Sequence, residues 1–132
     1  MSPRAAFWVA LGSLLGSLSR HALQQWLPEA TWSGLPLATL SVNVAGSLLI
    51  GWLAGRAMPP HPTLATLHRR HFAMTGFCGG FTTFSLFTLE TLVLIETGAW
   101  SQAWLNLGLT TALALVAVAL GFRMGRTGRK PE

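Results

Sequence analysis

Phe84 and Phe87 stand three residues apart, with Ser85, Thr88 and Thr91 beside them. That spacing puts both rings on one face of a helix. A ring has a positive edge and a negative face, so two rings turned edge-on can stabilise a small anion without a full charge. The plainer reading is a pair that faces lipid or packs against a neighbour. Thr39, Asn43 and Ser47 recur at i, i+4 and i+8 in another apolar segment, which places them on one slowly drifting helix face. The Asn43 amide needs a partner there. It serves either as an interhelical hydrogen bond or as a donor lining a pathway. Asn106 and Thr110, with Thr111 alongside, repeat the i, i+4 pattern. A hydroxyl bonded back to its own preceding turn is the ordinary alternative for Thr110.

Glu90 falls deep enough in its apolar segment for a bare charge to be costly, which marks it for function unless it reaches a watery, paired vestibule beside Arg or Ser. Arg20 has the same two readings: an interfacial anchor that snorkels, or positive charge offered to an anion. His61, His68 and His71 match no metal-ligand spacing and are expected in a solvated loop. The single cysteine, Cys78, excludes an internal disulfide and a cysteine-based zinc cluster.

These residues flank or lie within Gly76-Phe77-Cys78-Gly79-Gly80-Phe81-Thr82-Thr83-Phe84-Ser85-Leu86-Phe87. Three glycines and a run of hydroxyls weaken a helix where a membrane helix should be most regular. Freed backbone groups are tolerated at membrane depth only against protein or a watery site. Broken midplane helices point to ion or substrate sites.

The elements that position these groups are membrane helices. The chain has 132 residues, 51% hydrophobic and 10% charged, against about 25% charged in soluble domains. A span needs roughly 20 residues. Four are predicted: 5–27, 35–58, 72–95 (broken at its middle) and 100–122. The fold class is therefore an all-α membrane protein with four transmembrane helices, in one domain over 1–126, followed by a disordered basic tail over 127–132. The first apolar block is too long for a secretory signal and reads as a retained helix. Pro59-Pro60-His61-Pro62 ends the second span. Trp26, Trp32, Trp100 and Trp104 mark one interface and Trp8 the other, while Trp52 lies deeper.

The net charge of +5 does not imply nucleic acid, because the basic residues flank apolar segments. Eight of nine Lys and Arg share one side, Arg20 being the exception. That side is cytoplasmic by the positive-inside rule, in a multi-pass protein of a cell membrane. Gly12 and Gly16, and Gly46, Ser47, Gly51, Ala54 and Gly55, form small-residue faces that let helices approach closely. Four thin helices make a poor pore alone, so oligomerisation is expected.

The chain resembles the Fluc/CrcB fluoride channels. Its GFCGGFTTFSLFTLE run from Gly76 to Glu90 is similar to that family's GFxGGxTTFSTFxxE signature. Thr39 to Ser47 resembles TLxVNxxGS, and Gly12, Gly16 and Arg20 match a first-helix GxxGxxxR pattern. The resemblance covers all four spans. It implies an antiparallel, dual-topology dimer with two narrow fluoride pores, in a prokaryotic plasma or inner membrane, that passively exports fluoride which entered as HF. It implies a structural Na⁺ at the dimer centre, held by backbone carbonyls of Gly79 and Thr82 from each subunit. It places Phe84 and Phe87 with ring edges toward the ion, and Asn43 as a donor to fluoride or to a ring. Ser85 and Thr110 would join a polar track. Arg20 and Glu90 would be structural or vestibular.

Small, strongly hydrated fluoride needs compact donors to replace its water. A fixed Lys or Arg in the pore would hold it too tightly for conduction, and the sequence places none near mid-membrane. Leu86 stands where the family pattern has threonine, and Ala114 where some members have serine. A dual-topology chain should also lack the one-sided Lys/Arg bias seen here. The bias suggests one half of a heterodimeric pair with fixed, opposite orientations. A small dimeric multidrug exporter would need a carboxylate in the first helix, which is absent, and the chain has no Asp. A scaffold subunit would explain the glycine faces but not Asn43 with the two rings. An enzyme is not expected, since no nucleophile–base set or metal cluster is present.

Overall fold

The computed structural model describes residues 2–27, 31–32, 34–56 and 64–127, without the side chains of Thr31, Trp32, Leu64 and Ala65. Glu29, the proline stop at 59–62 with His61, and the tail beyond Thr127 lie outside these residues. The described chain is almost wholly helical. Helix α1 spans Pro3–Trp26. A two-rung hairpin follows, β1 (Thr31–Trp32) with β2 (Leu35–Pro36), turning at Gly34 with φ 81°. Helix α2 runs Leu37–Arg56. A third rod comprises α3 (Leu64–Arg70), a wide-turned stretch His71–Cys78, α4 (Gly79–Phe81) and α5 (Phe84–Glu96). Helix α6 spans Trp100–Thr127.

Three of these are long and apolar enough to cross a membrane: Leu37–Arg56, Thr66–Glu96 and Trp100–Thr127. At 1.5 Å per residue, even the shortest reaches about 30 Å, a hydrocarbon core's thickness. The chain is thus a multi-pass membrane protein. Helix α1 has 24 residues, carries Arg4 and Arg20, and lies along the third rod. Ser2 caps its start, accepting from the Ala5 amide at 3.3 Å, with Pro3 in the first turn.

Two glycine seams organise the packing. Gly12 and Gly16 lie on the third rod, where a Cβ would strike the carbonyl oxygens of Phe72 and Phe77. Gly76 and Gly80 answer from the other side, against Val9 and Ser13. Both series rise together, so α1 and the rod are parallel. In the second seam Gly51 meets Val118, Gly55 meets Phe122, and Gly121 meets Leu48, so α2 and α6 are also parallel. The two pairs join antiparallel through α2 and the rod, where Thr39 meets Glu90 and Asn43 meets Thr83. Only small residues permit such approach of backbones.

Helix α6 continues five residues past its predicted end, through Thr127, and two other boundaries differ from the sequence expectation. The third rod begins at Leu64, eight residues before the predicted start. No breaker lies between Leu64 and Gly76, so the helix continues through the residues expected as loop. His68 and His71 are consequently helical, and His68 stacks on Trp8 at 6.2 Å. The break also falls later than the glycines. Gly76, Gly79 and Gly80 remain in helical turns, and the chain becomes extended only at Thr82 and Thr83.

The ends are chemically distinct. Arg4, Arg56, Arg69, Arg70, Arg123 and Arg126 gather where α1 and the rod begin and α2 and α6 end. Exposed Trp26, Trp100 and Trp104 mark the opposite end. The Trp52 backbone on α2 abuts Gly121 and Gly125 of α6, and the Arg56 guanidinium is 4.7 Å from its ring centre.

Candidate functional site

The break in the third rod is the centre of the site. Helix α4 ends at Phe81. Thr82 takes φ −79°, ψ 162°, Thr83 takes φ −145°, ψ 116°, and α5 restarts at Phe84. An interrupted helix in an apolar setting must find partners for its freed groups. Those of Thr82 and Thr83 are engaged. The Thr82 amide and hydroxyl both donate to the Cys78 carbonyl at 3.1 Å. The Thr82 carbonyl accepts from Arg20 Nη1 at 3.2 Å. The Thr83 amide donates to Asn43 Oδ1 at 2.8 Å, and its carbonyl accepts from Asn43 Nδ2 at 3.0 Å. The Thr83 hydroxyl caps α5 by accepting from the Leu86 amide at 3.1 Å.

Asn43 therefore makes the interhelical bond that one sequence reading foresaw, and it makes it to main chain. Of its two N–H donors, one is on Thr83. Arg20 departs from its expected place. Its Cα lies toward the far end of α1, yet α1 packs on the third rod in a register that sets Arg20 level with Thr82, one step beyond Ser13 on Gly76 and Ser17 on Gly80. Linear spacing does not reveal that register. The middle of the rod thus has a fixed cation where the sequence placed none.

Phe84 and Phe87 meet at the start of α5, ring centres 5.9 Å apart and planes inclined 49°. They are not equivalent: Phe84 is 76% exposed and Phe87 7%. Ser85 is exposed beside Phe84, its hydroxyl 3.4 Å from that of Thr83. Gly79 is also exposed, and a Cβ there would meet nothing within 4 Å. Gly79, Phe84 and Ser85 are therefore all open on the surface of the rod.

A buried polar ladder runs between α5 and α6. Thr110 donates to Asn106 Oδ1 at 3.3 Å, Asn106 Nδ2 donates to the Thr91 hydroxyl at 2.9 Å, and Thr91 donates to the Phe87 carbonyl at 2.7 Å. Thr110 was expected in a polar track. Thr91 was singled out only as a neighbour of the rings, and Asn106 only for its spacing to Thr110. Thr91 sits four residues after Phe87, the spacing for a back-bond, so a signal was present. Glu90 accepts from the Thr39 hydroxyl at 2.7 Å, rather than pairing with Arg or Ser. Its other oxygen, Oε2, is buried with no partner among the described residues. Thr39 itself had been noted only as one rung of the Asn43 face.

Residues 7–122 match the sequence model of the family described as CrcB-like protein, Camphor Resistance (CrcB). The chain belongs to the CrcB family. Relatives include the "Fluoride-specific ion channel FluC" of Opitutus terrae (strain DSM 11246 / JCM 15787 / PB90-1), 45% identical over 86% of this chain and 86% of that protein. The "Fluoride-specific ion channel FluC 1" of Rhodopseudomonas palustris (strain BisB18) is 43% identical over 89% of this chain and 85% of its own length. A third, the "Fluoride-specific ion channel FluC" of Paramagnetospirillum magneticum (strain ATCC 700264 / AMB-1), is 45% identical over 86% and 88%. The match to the CrcB family takes in the whole break with Arg20, Asn43 and the Phe84–Phe87 pair. The family is one of ion channels, not of enzymes.

Proposed function

We propose that this chain forms a fluoride-selective channel through which fluoride leaves the cytoplasm passively. In this reading two copies pack in opposite orientation, each contributing four spans, and enclose two narrow pores in a prokaryotic plasma or inner membrane. The start of α5 carries the proposal. There an exposed Phe84 ring stands 5.9 Å from Phe87 with Ser85 beside it, directly after a break whose Thr82 and Thr83 backbone groups are engaged. Ring edges and hydroxyls then meet the ion. The names of the relatives support fluoride as that ion.

The geometry supports the remaining roles. Asn43 has one amide proton on Thr83, and its second would serve the ion or a ring. Ser85 and Thr110 belong to the polar track, Thr110 through Asn106 and Thr91. Arg20 acts structurally on Thr82. Glu90 acts structurally by accepting from the Thr39 hydroxyl, its Oε2 being buried. The parallel packing of α1 on the third rod supports α1 as the fourth span.

A structural Na⁺ at the dimer centre would use the carbonyls of Gly79 and Thr82. The donors suit a hard cation, and they sit at a helix C-terminus, the negative end of its dipole. Gly79 is open to a partner. Thr82 has one lone pair left, the other accepting from Arg20. Two carbonyls are too few for a cation site, so the second chain must supply the same pair.

Fluoride efflux from liposomes holding the purified protein, with chloride as control, tests the proposal. A folded, dimeric protein that passes no fluoride would sink the homodimer reading. The arginines gathered at one end favour a second version, in which this chain pairs with a homologous subunit of opposite fixed orientation. Reporter fusions at the C-terminus, expressed alone, separate the two. Equal inside and outside populations exclude the fixed-orientation version.

A further inference from the structure

At the arginine-rich end, away from the break, a cavity of about 840 Å³ opens between the start of α1, the end of α2 and the start of the third rod. Its walls are graded. Arg56, Arg69, Arg70 and His68 lie at the outer rim, on the last turn of α2 and the end of α3. Phe72, Ala73 and Met74 line it further along the rod, and Leu53 and Trp8 close it from α2 and α1. No Asp or Glu lies among the described residues of this end, so nothing there neutralises the guanidinium groups.

The walls are also pre-set. The Trp8 ring is fixed by His68, stacked at 6.2 Å, and by Phe72, edge-on at 6.3 Å. The Arg56 guanidinium rests over Trp52 at 4.7 Å, which holds its long side chain at the rim. A free anion would need only the charges. An amphiphile needs charges bordering an aromatic and aliphatic wall, and this cavity sets Arg56, Arg69 and Arg70 beside Trp8, Leu53, Phe72 and Met74.

We propose that this cavity is a binding site for an anionic phospholipid, with Arg56, Arg69 and Arg70 on the phosphodiester and Trp8, Phe72 and Met74 against the upper acyl chain. Guanidinium groups bind phosphate oxygens in forked, charge-assisted pairs. Basic pockets between membrane helices at a cytoplasmic face have this chemistry. The proposal does not depend on fluoride conduction, because the site is formed within one chain and lies away from α5.

The test is native mass spectrometry of the full-length protein, released from micelles containing phosphatidylglycerol or phosphatidylcholine. The wild-type protein should retain phosphatidylglycerol and not phosphatidylcholine. Equal retention of both would overturn the proposal without any variant. Arg69→Gln/Arg70→Gln should lose retention by tenfold or more, since each basic side chain near the surface accounts for about fivefold. Arg123→Gln/Arg126→Gln removes the same charge from the same end outside the cavity and should change little. An equal loss in both double variants would reassign the effect to diffuse surface charge and refute the site. Inorganic phosphate at millimolar concentration should not displace the lipid. Displacement would mean a simple anion site and would also refute it. Monodisperse elution of each variant confirms that it is folded.

Discussion

Asn43 pairs with both main-chain groups of Thr83, giving Nδ2–H to the carbonyl at 3.0 Å and taking the amide at 2.8 Å. One side chain thereby does for an extended residue what a neighbouring strand would do. The consequence is energetic before it is functional. The break exists because α2 offers an amide at that height. Asn43→Leu is predicted to leave two buried groups unpaired, at roughly 1–3 kcal/mol each. Thermal unfolding in detergent checks this. A melting temperature equal to wild type would mean that the pair does not hold the break.

Arg20 closes the other exposed carbonyl of the break, on Thr82. Arg20→Gln is predicted to lose about 1.5–3 kcal/mol, the range for a hydrogen bond to a charged group. Amide hydrogen exchange should quicken at Thr82 to Leu86 and remain slow in the α2–α6 seam. Exchange that quickens equally everywhere would point to global destabilisation instead.

Gly79 and Gly80 are adjacent but predicted to respond differently to alanine. A Cβ at Gly80 would strike the Ser13 carbonyl, whereas one at Gly79 would meet nothing within the chain. Gly80→Ala should therefore destabilise the subunit by about 1–3 kcal/mol, the usual range for overpacking. Gly79→Ala should leave the subunit fold unchanged and weaken dimerisation, read by cross-linking. If Gly79→Ala dimerises as wild type does, a partner does not press on that face.

Phe84→Ile and Phe87→Ile should each cut fluoride efflux strongly while the protein still assembles. Their burial separates them in a second measurement. Phe87, at 7% exposure, should also lower the melting temperature, and Phe84, at 76%, should not do so in the isolated subunit. Unchanged efflux in both variants would remove the rings from the pore.

Much of this was legible from residue types. Apolar length gave α2, the third rod and α6, and the small-residue faces of Gly12, Gly16, Gly51 and Gly55 became the seams. Asn43 announced a partner because an amide inside an apolar segment must have one. What spacing could not give was register and direction. Arg20 stands beside Thr82 only because of the register in which α1 packs on the rod, so its position along α1 misled. The glycines were read as the break because glycine weakens helices, yet close packing of Gly76 and Gly80 on α1 keeps that stretch helical. The bend instead falls at Thr82 and Thr83, where Asn43 and Arg20 offer substitutes for helical hydrogen bonds. Glu90 with Thr39 and Asn106 with Thr91 join different helices, and such registers are set only by packing.

The two seams interleave along the chain. Helix α1 is completed by residues about sixty positions later, as the bonds from Ser13 to Gly76 and from Ser17 to Gly80 show, and α2 by α6 later still. Neither of the first two helices meets its main partner in the order of synthesis. During biogenesis α1 and α2 must wait in the bilayer with their glycine grooves unfilled, α1 until Phe81 has emerged and α2 until Gly125 has. A ribosome stalled between those points holds a chain with one seam closed and the other open. Assembly thus ends with the last helix, and a truncation within α6 is felt at α2.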